Sequence, residues 1–441
     1  MKFWQNDLKD PNVGMGKTVV LGLQHTFTMF GATILVPILV GLDISVALLM
    51  AGIGTLLFHL FTKGGVPIFL GSSFAFIAPI IAASAAYGME SALGGIVVAG
   101  ALYVVISVLV YFLGTDRIIN WFPPIVTGSV IMVIGLGLAP VAIDMASTNG
   151  GEGITSTAWL LALMSFAIVV CVNVFLKGFA KSLPVLIGLV ISYIIAAVIT
   201  LTGAAQLIDF TPIKEAAWFG IPKFTVAKFD IGAIMLVAPV AVCTIVEHIG
   251  DVMAVGAICD RDFIKNPGLH RTLLGDGLAT GISAMFGGPA NTTYSENTGV
   301  LALTKQFNPT IMRIAAGFAI VLGFVPKLNA IISTIPSAII GGISIVLFGM
   351  IASVGARTLV ENKVDFQKSR NLIIAAVILV LGIGGAAIPF SIGSVDFNIQ
   401  GMALAAIVGI ILNQILPGKE KYKKEEVREI KENEEKQGDD E

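Results

Sequence analysis

The sequence GGPANTTYSENTGVLALTK, residues 287–305, interrupts a chain that consists largely of uncharged apolar runs. It opens on Gly-Gly-Pro, which does not begin a regular spanning helix, and a polar cluster follows before an apolar helical run resumes. In a membrane, such a non-helical backbone is tolerated only where protein or a water-filled cavity covers it. The stretch therefore predicts a broken span whose second half begins at a cavity and directs its free N–H groups into it. Glu296 is ionisable at that depth, which makes it a candidate functional residue.

Composition extends the membrane interpretation to the whole chain. Of the 441 residues, 56% are hydrophobic and 13% are charged, a balance that excludes a soluble globular domain of this size. Apolar stretches of about 20 residues, the length that crosses a bilayer, recur from residue 17 to residue 416. We predict an all-α polytopic membrane protein with about 14 spans. The predicted spans are 17–41, 44–62, 67–86, 91–113, 119–141, 157–176, 182–202, 231–256, 270–287, 291–304, 309–328, 336–355, 370–388 and 398–416.

Basic residues in the short connections predict the orientation of these spans. If the N-terminus is cytoplasmic, the outside loops near 87–90, 143–156 and 389–397 contain neither Lys nor Arg. The basic residues of the inside connections are Lys63, Arg117, Lys177, Lys181, Arg261, Lys265, Arg271, Lys305, Arg357, Lys363, Lys368 and Arg370. The loop 203–230 has lysines as well, but long loops weigh little in this rule. We therefore expect a multi-pass protein of a bacterial inner membrane, with both termini cytoplasmic and without a cleavable signal peptide.

Two pairs of segments indicate an internal repeat. The sequence FPPIVTGS at 122–129 resembles IPSAIIGG at 335–342, which lies 213 residues further on. The sequence PIFLGSSF at 67–74 is the counterpart of PANTTYSE at 289–296, because each is a Pro-led extended run that leads through small polar residues into a helix. An odd number of spans per repeat would make the halves inverted relative to each other. Chance similarity between Gly- and Pro-rich helices is the alternative, but paired interrupted spans point to a transporter's binding site.

A second group of ionisable residues lies in the otherwise apolar helix AVCTIVEHIGDVMAV. Glu247 and Asp251 are four residues apart and share a face, whereas His248 lies about 100° around the helix. Two carboxylates one turn apart in a low-dielectric setting disfavour each other's charged form, so one of them is expected to hold a proton, as proton coupling requires. The alternative for Asp251 is a cap on neighbouring backbone or a pairing with His25 or Lys305.

Other polar and aromatic residues within the spans carry weaker signals. Asp276 lies near a cytoplasmic end and is expected only to bond the backbone of its neighbouring glycines. Gln24 and His25 lie in the first span, where a lone histidine is more often a buried hydrogen-bonding strut than a ligand. Phe74 and Tyr294 lie at the two helix starts, and their paired placement suggests two faces for a flat ring.

Several of these motifs, in this order, resemble the nucleobase–ascorbate transporters, and within that family the bacterial uracil permeases. The sequence ENTG, four further residues and then TK looks like the family signature Glu/Gln-Asn-x-Gly-x4-Thr-Lys/Arg. The matching residues are Glu296, Asn297, Gly299, Thr304 and Lys305. The pair Gln24-His25 is similar to the family's QH pair, and EHIG at 247–250 to the carboxylate motif of its eighth span. The sequences LGSSFAF at 70–76 and NTTY at 291–294 look like its third and tenth spans, so the resemblance covers residues 18–416.

The resemblance implies an architecture and partners. It implies about fourteen spans in two inverted repeats of about seven, with short strands in the broken third and tenth spans. It also implies a core domain that moves against a gate domain, homodimers formed through the gate domains, and transport rather than enzyme activity, with no cofactor, metal site or nucleic acid. The implied segments are an N-terminal segment (1–16), a first core segment (17–113), a first gate segment (114–202), an outside loop (203–230), a second core segment (231–328), a second gate segment (329–417) and a charged tail (418–441).

The resemblance further implies a proton-coupled importer of uracil. The residues it places at the substrate are Glu247, Glu296, Phe74, Tyr294, Ser295, Ala32, Ser344 and Phe348; those for proton coupling are Glu247, His248, Asp251 and Glu296; those that support the site are Gln24, His25, Asn297, Gly299 and Thr304. Two positions depart from a known member. That member has a histidine tied to proton coupling in place of Asp251, although aspartate is common in others, and a tyrosine in place of Phe348.

Three alternatives to this function are open. The first is the same fold with a purine such as xanthine or urate as substrate, which Glu296 and the Glu247-His248 pair disfavour. The second is an anion transporter, which would need a cation where Glu296 stands. The third, from another class, is an intramembrane aspartyl protease that uses Asp251 and Asp276, although LLGD lacks the first glycine of the expected Gly-x-Gly-Asp setting.

Overall fold

The computed structural model describes residues 14–151, 153–392 and 395–418. The described chain is mostly helical. The helices are α1 (Met15–Val40), α2 (Ile44–Phe61), α3 (Ile77–Tyr87), α4 (Met89–Leu113), α5 (Thr115–Ile119), α6 (Pro124–Gly137), α7 (Ala139–Thr148), α8 (Ser156–Phe175), α9 (Pro184–Leu201), α10 (Thr211–Glu215), α11 (Ile231–Val237), α12 (Ala241–Ile258), α13 (Leu269–Met285), α14 (Ser295–Thr304), α15 (Pro309–Gly323), α16 (Pro326–Ser333), α17 (Ser337–Glu361), α18 (Ser369–Ile383) and α19 (Gly401–Ile415). The strands are β1 (Leu70–Ser72), β2 (Asn291–Thr293), β3 (Ala387–Ile392) and β4 (Val395–Gln400).

Long apolar helices make this an integral membrane protein. Within the described ranges, eight helices are long and apolar enough to cross a membrane, with α6–α7 and α11–α12 each counted as one. The count becomes nine if α15 and α16, which are bent by 79° relative to each other, form one span. Three shorter apolar helices cover 74–87, 369–383 and 401–415. Length and composition alone therefore identify fewer spans than the sequence predicts.

Local sequence explains where many of these helices begin. Asp43 caps α2 by accepting a hydrogen bond from the N–H of Val46. Thr155 and Asp230 cap α8 and α11 in the same way, and short polar side chains are preferred at this position because they satisfy otherwise unpaired N–H groups. Proline occupies the first helical position of α6, α9, α15 and α16, where its missing N–H costs nothing.

Strands β1 and β2 pair with each other although they are far apart in the chain. They run antiparallel, with Leu70 opposite Thr293 and Ser72 opposite Asn291. Two further bonds flank the pair, from Ser73 N to Ala290 O at 2.8 Å and from Tyr294 N to Phe69 O at 3.1 Å. The pairing satisfies backbone groups that would otherwise be unpaired in the interior of the helical bundle.

Packing divides most of the helices into two groups. In one group, α13 packs on α2 and α4, and α15 packs on α1 and α2. In the other group, α17 packs on α6, α7 and α8, while α18 packs on α6 and α19. Helix α14 lies with the first group through its contacts with α1 and α12. Helix α12 lies between the groups, because it contacts α4, α13, α14 and β2 in the first and α6 and α19 in the second. The β1–β2 pair belongs to the first group through its contacts with α1, α2 and α13.

The structure corrects two details of the sequence prediction. Residues 389–397 were expected to form an outside loop, but β3 and β4 form an antiparallel hairpin with Ala387 opposite Gln400. The loop expected at 143–156 is shorter, because α7 continues to Thr148. The expectations for residues 1–13 of the N-terminal segment and for 419–441 of the charged tail lie outside the described residues.

The contact between α4 and α13 generates a stability prediction. A Cβ on Gly277 would lie 2.4 Å from Tyr103 Cβ and 2.8 Å from Gly100 O, whereas a Cβ on Gly281, one turn later, would have Val97 O as its nearest neighbour at 3.8 Å. We expect Gly277→Ala to lower the free energy of unfolding by about 1–3 kcal/mol, because the helices must separate. Gly281→Ala is the matched control and should leave the thermal unfolding midpoint in detergent unchanged or slightly raised, because alanine is favoured over glycine inside a helix. Equal midpoints for the two variants would contradict this packing.

Candidate functional site

A cavity of about 210 Å³ lies between the two groups of helices, next to the β1–β2 pair. The first group contributes the 3-10 turn at 74–76 that leads into α3, α12, β2 and the first turn of α14. The second group contributes one residue of α6 and the C-terminal half of α17. The lining residues are Phe74, Ile131, Glu247, Asp251, Thr292, Thr293, Tyr294, Ser295, Glu296, Leu347, Met350, Ile351, Val354 and Arg357.

Three carboxylates meet at this cavity. Glu247 and Asp251 lie on one face of α12, and Glu296 lies in the first turn of α14. Within the described chain, Glu247 Oε2 is buried without a hydrogen-bonding partner. An unpaired buried carboxylate oxygen is costly, so it provides a strong acceptor for a donor that enters the cavity.

Two helix starts also face this region. One begins at Phe74 with a short 3-10 turn that continues into α3, and the other is the start of α14 at Ser295. The residues that precede them, Ser73 and Tyr294, have extended backbones, and neither side chain caps its helix. Because β1 and β2 are antiparallel, the two helices leave the strand pair in opposite directions and both begin beside it. The N–H groups of their first turns therefore remain available as donors.

Asp251 joins α12 to β2 and to the start of α14. Its Oδ1 accepts a hydrogen bond from Ser295 Oγ at 3.0 Å, and its Oδ2 accepts one from the hydroxyl of Thr293. The alternative partners weighed from the sequence, His25 and Lys305, are wrong. Asp251 thus holds β2 and the start of α14 against α12.

His248 and Asp276 form a buried pair away from the cavity. His248 Nδ1 lies 2.9 Å from Asp276 Oδ2, and both side chains are fully buried. The rings of Phe58 and Tyr103 pack edge-on against His248, with centroids 6.3 and 6.4 Å away. The expectation that Asp276 bonds only neighbouring backbone is therefore wrong. Neither residue lines the cavity, so Asp276 does not pair with Asp251 in the arrangement that an aspartyl protease would need.

Tyr294 lines the cavity, but its hydroxyl is committed inside the protein. It donates a hydrogen bond to Ser72 O at 3.1 Å and accepts one from Thr33 Oγ1 at 3.2 Å. The ring lies so close to Gly71 that a Cβ there would come within 2.4 Å of it. Gly71 is therefore needed for the ring to cross β1, and the tyrosine hydroxyl fixes the helix start to α1 and β1.

The supporting residues of the signature connect α14 to α1. Asn297 Nδ2 lies 3.1 Å from His25 Nδ1 and 3.2 Å from His25 O, and both residues are buried. Thr304 Oγ1 donates to Val300 O at 2.8 Å in the last turn of α14. Gln24 is half-buried, and a Cβ on Gly299 would meet nothing within 4 Å. His25 is thus a hydrogen-bonded strut that positions α14.

Not every residue predicted for the substrate lines the cavity. Ala32, Ser344 and Phe348 are buried and lie outside its lining. The Phe348 ring packs edge-on against Phe74 with centroids 5.9 Å apart, so it shapes the cavity indirectly. Among the described residues, no cluster of three or more His, Cys, Asp or Glu side chains suits a metal ion.

Sequence reasoning missed the lining residues of α17. Leu347, Met350, Ile351 and Val354 recur at helical spacing, which marks one face of the helix. That spacing identifies the face but not what lies opposite, since nothing local to α17 says that it faces α12 and α14 across a cavity. Arg357 continues the same face and brings a cation to the cavity.

Comparison with known proteins identifies a family and relatives that match nearly the whole chain. A family model described as "Permease family" matches residues 16–391. A uracil permease of Bacillus caldolyticus is 48% identical over 421 residues, which are 94% of this chain and 95% of that protein. A uracil permease of Bacillus subtilis (strain 168) is 46% identical over 409 residues, 90% of this chain and 92% of that protein.

Solved structures share the fold at low identity. The transmembrane domain of a cyanobacterium bicarbonate transporter, BicA, superposes with a TM-score of 0.63 at 18% identity, over 90% of this chain and 96% of that one. The overall structure of SLC26A9 gives a TM-score of 0.63 at 12% identity, over 92% of this chain and 66% of that one. Such identities establish the fold alone.

These findings confirm the family that the sequence motifs indicated and give no support to the protease alternative. Relatives that share nearly the whole chain are named permeases, which are transporters and not enzymes. The long apolar helices agree with an integral membrane protein. The chain therefore belongs to the permease family of the nucleobase–ascorbate transporters.

Proposed function

We propose that this protein imports uracil across a bacterial inner membrane together with protons. The observation that carries the proposal is the convergence of Glu247 and Glu296 with two uncapped helix starts in one cavity. Relatives at 48% and 46% identity that are named uracil permeases support the substrate.

Uracil is flat, neutral and small, with two N–H donors and two carbonyl acceptors. Glu247 and Glu296 accept hydrogen bonds from the ring N–H groups, and the backbone N–H groups at Phe74 and Ser295 donate to the carbonyls. Phe74 gives one apolar face to the ring, and Tyr294 lies at the opposite helix start. Each charge-assisted bond of this kind contributes about 1.5–3 kcal/mol.

Proton coupling follows from the negative charge that the site carries before the substrate binds. Glu247, Asp251 and Glu296 share one cavity, and their mutual repulsion favours binding of a proton. A protonated and loaded site crosses a low-dielectric path at lower cost than a charged one. Asp251 already accepts two hydroxyl hydrogen bonds that stabilise its charged form, so Glu247, with its unpartnered oxygen, is the proton carrier in this proposal. His248 contributes indirectly, because its pair with Asp276 fixes the position of α12.

The two packing groups support the division into core and gate domains. The group of α1–α4 and α11–α15 corresponds to the core (spans 1–4 and 8–11), and the group of α6–α9 and α17–α19 to the gate. In this assignment β1 and β2 lie in the third and tenth of about fourteen spans, which form two inverted repeats. The cavity reaches toward the end of α17 that carries Arg357, so this conformation is open to the cytoplasm when both termini are cytoplasmic. We expect homodimers that form through the gate domains.

Two other substrates are less well supported. Transport of a small anion, as the bicarbonate transporter BicA's fold suggests, would place a negative charge beside three carboxylates, which repel it. A purine such as xanthine would use the same fold, but Glu296 and the Glu247-His248 pair favour the pyrimidine.

The site assignment predicts that Glu296→Ala abolishes uracil uptake in cells that lack their own permeases, because the substrate loses a charge-assisted partner. Glu215→Ala, which removes an exposed carboxylate of α10 far from the cavity, is the control and should transport normally. Immunoblots of membranes check that both variants are expressed. Normal uptake by Glu296→Ala would remove Glu296 from the site.

The hydrogen-bonding scheme predicts how analogues compete with labelled uracil. Replacing one ring N–H by N-methyl, in 1-methyluracil or 3-methyluracil, should weaken competition about tenfold or more, because one charge-assisted bond is lost. 5-Fluorouracil keeps both N–H groups and serves as the matched control, which should compete well. Strong competition by xanthine would shift the substrate to purines while the fold and the site remain.

The coupling scheme predicts a proton flux. Purified protein in liposomes that contain a pH-sensitive dye should acidify the lumen when uracil is added outside, because each substrate enters with a proton. Glu247→Gln cannot hold a transferable proton and should not acidify the lumen. Uracil entry without acidification by the unaltered protein would exclude symport.

A further inference from the structure

The connection between α9 and α11 exposes a dense group of large apolar side chains in residues 216–229, which we name the 216–229 segment. Its most exposed members are Trp218 (69%), Phe219 (79%), Ile221 (78%), Val226 (71%) and Phe229 (64%). Isolated apolar side chains are common on protein surfaces, but a contiguous group of this kind marks a surface that something else covers.

The segment is fixed along the ends of two spanning helices. Lys228 N donates to Glu90 O at 2.8 Å, and the Lys228 ammonium pairs with the carboxylate of Glu90 in the first turn of α4. Thr225 N donates to the carbonyl of Phe286, which ends α13, at 3.4 Å. The Phe224 ring packs edge-on against the Phe286 ring, with centroids 6.1 Å apart. The segment is thus held to the bundle through its own backbone.

The other end of the segment is tied to the bend between α15 and α16. Gly220 N donates to Phe324 O at 3.2 Å, and Lys327 Nζ donates to Ala216 O at 3.1 Å. The same ammonium lies 5.7 Å from the centroid of the Trp218 ring. Four helix ends therefore hold the segment: the start of α4, the end of α13, the end of α15 and the start of α16.

We propose that the 216–229 segment is an interfacial membrane anchor. Its aromatic and aliphatic side chains enter the boundary between lipid headgroups and acyl chains, and the exposed Lys223 contacts lipid phosphate. Tryptophan favours this layer because its ring is apolar while its N–H stays hydrated. Lysine keeps its charged head in the headgroup layer while its stem lies on apolar surface.

A bilayer, and not another protein, is the occupant that the position of the segment supports. Helix α4 begins and helix α13 ends at the segment, so the lipid that surrounds them continues to its outer edge. Backbone hydrogen bonds hold the segment against the bundle, which leaves the apolar side chains facing away from it. Anchoring through Glu90 and Phe286 connects the membrane surface to the α4–α13 pair and sets its depth in the bilayer.

The test uses full-length protein whose only tryptophan is Trp218, with Trp4, Trp121 and Trp159 changed to Phe, in vesicles with brominated lipids. We expect blue-shifted emission, stronger quenching by bromines near the headgroup than by bromines deep in the acyl chains, and little quenching by aqueous iodide. Brominated phosphatidylglycerol should be enriched near Trp218 about fivefold over brominated phosphatidylcholine, the factor that one lysine at an anionic surface provides.

Matched variants of the same single-tryptophan protein distinguish insertion of the 216–229 segment into the membrane from effects that any surface substitution would have. Phe219→Ser with Ile221→Ser should shift the emission to the red and raise iodide quenching. Lys223→Gln should lower the preference for phosphatidylglycerol, while Lys327 remains beside Trp218. Ile154→Ser changes a side chain that is also exposed (76%) but lies in another connection, so it should alter none of these values. Full iodide quenching without quenching by lipid would overturn the proposal. Protection from both quenchers, as a second copy or another protein would give, would overturn it as well.

Discussion

The antiparallel pairing of β1 with β2 is the interaction on which the rest of this structure depends. Each strand interrupts a helix in the interior of a membrane protein, where unpaired N–H and C=O groups cost several kcal/mol because no water replaces their partners. Pairing the two interruptions with each other satisfies both. It also brings two helix starts from distant regions of the chain to one place, which creates a polar site. Among the described residues, no cluster of side chains at this site suits a metal ion.

The polar side chains around this pair hold it in place from three sides. Asp251 reaches β2 and α14 from α12, His25 holds Asn297 from α1, and Thr55 Oγ1 bonds both the N–H and the C=O of Leu70 from α2. The opposite wall of the cavity, on α17, is mostly apolar. One wall of the cavity is therefore hydrogen-bonded to three neighbouring helices, whereas the other wall makes mainly apolar contacts. Apolar contacts can be exchanged at low cost, which suits the movement of core against gate that we propose.

The fold also occurs in a transporter of another substrate. The transmembrane domain of the bicarbonate transporter BicA shares it at 18% identity, so the fold does not by itself select a substrate. In this chain, two glutamates stand in the cavity beside the donors that the helix starts provide. The combination of fixed donors with carboxylate acceptors suits a neutral ligand that offers both, whereas helix starts without acids suit an anion.

The sequence by itself determined the membrane class, the two broken spans and the carboxylates Glu247, Asp251 and Glu296 as candidates. These are local properties: apolar length, Pro and Gly in a span, and charge at a depth where charge is costly. Only the tertiary structure decided that Asp276 pairs with His248 and that one face of α17 closes the cavity. Such outcomes depend on side chains that are distant along the chain and become neighbours only when the helices pack, so no local pattern encodes them.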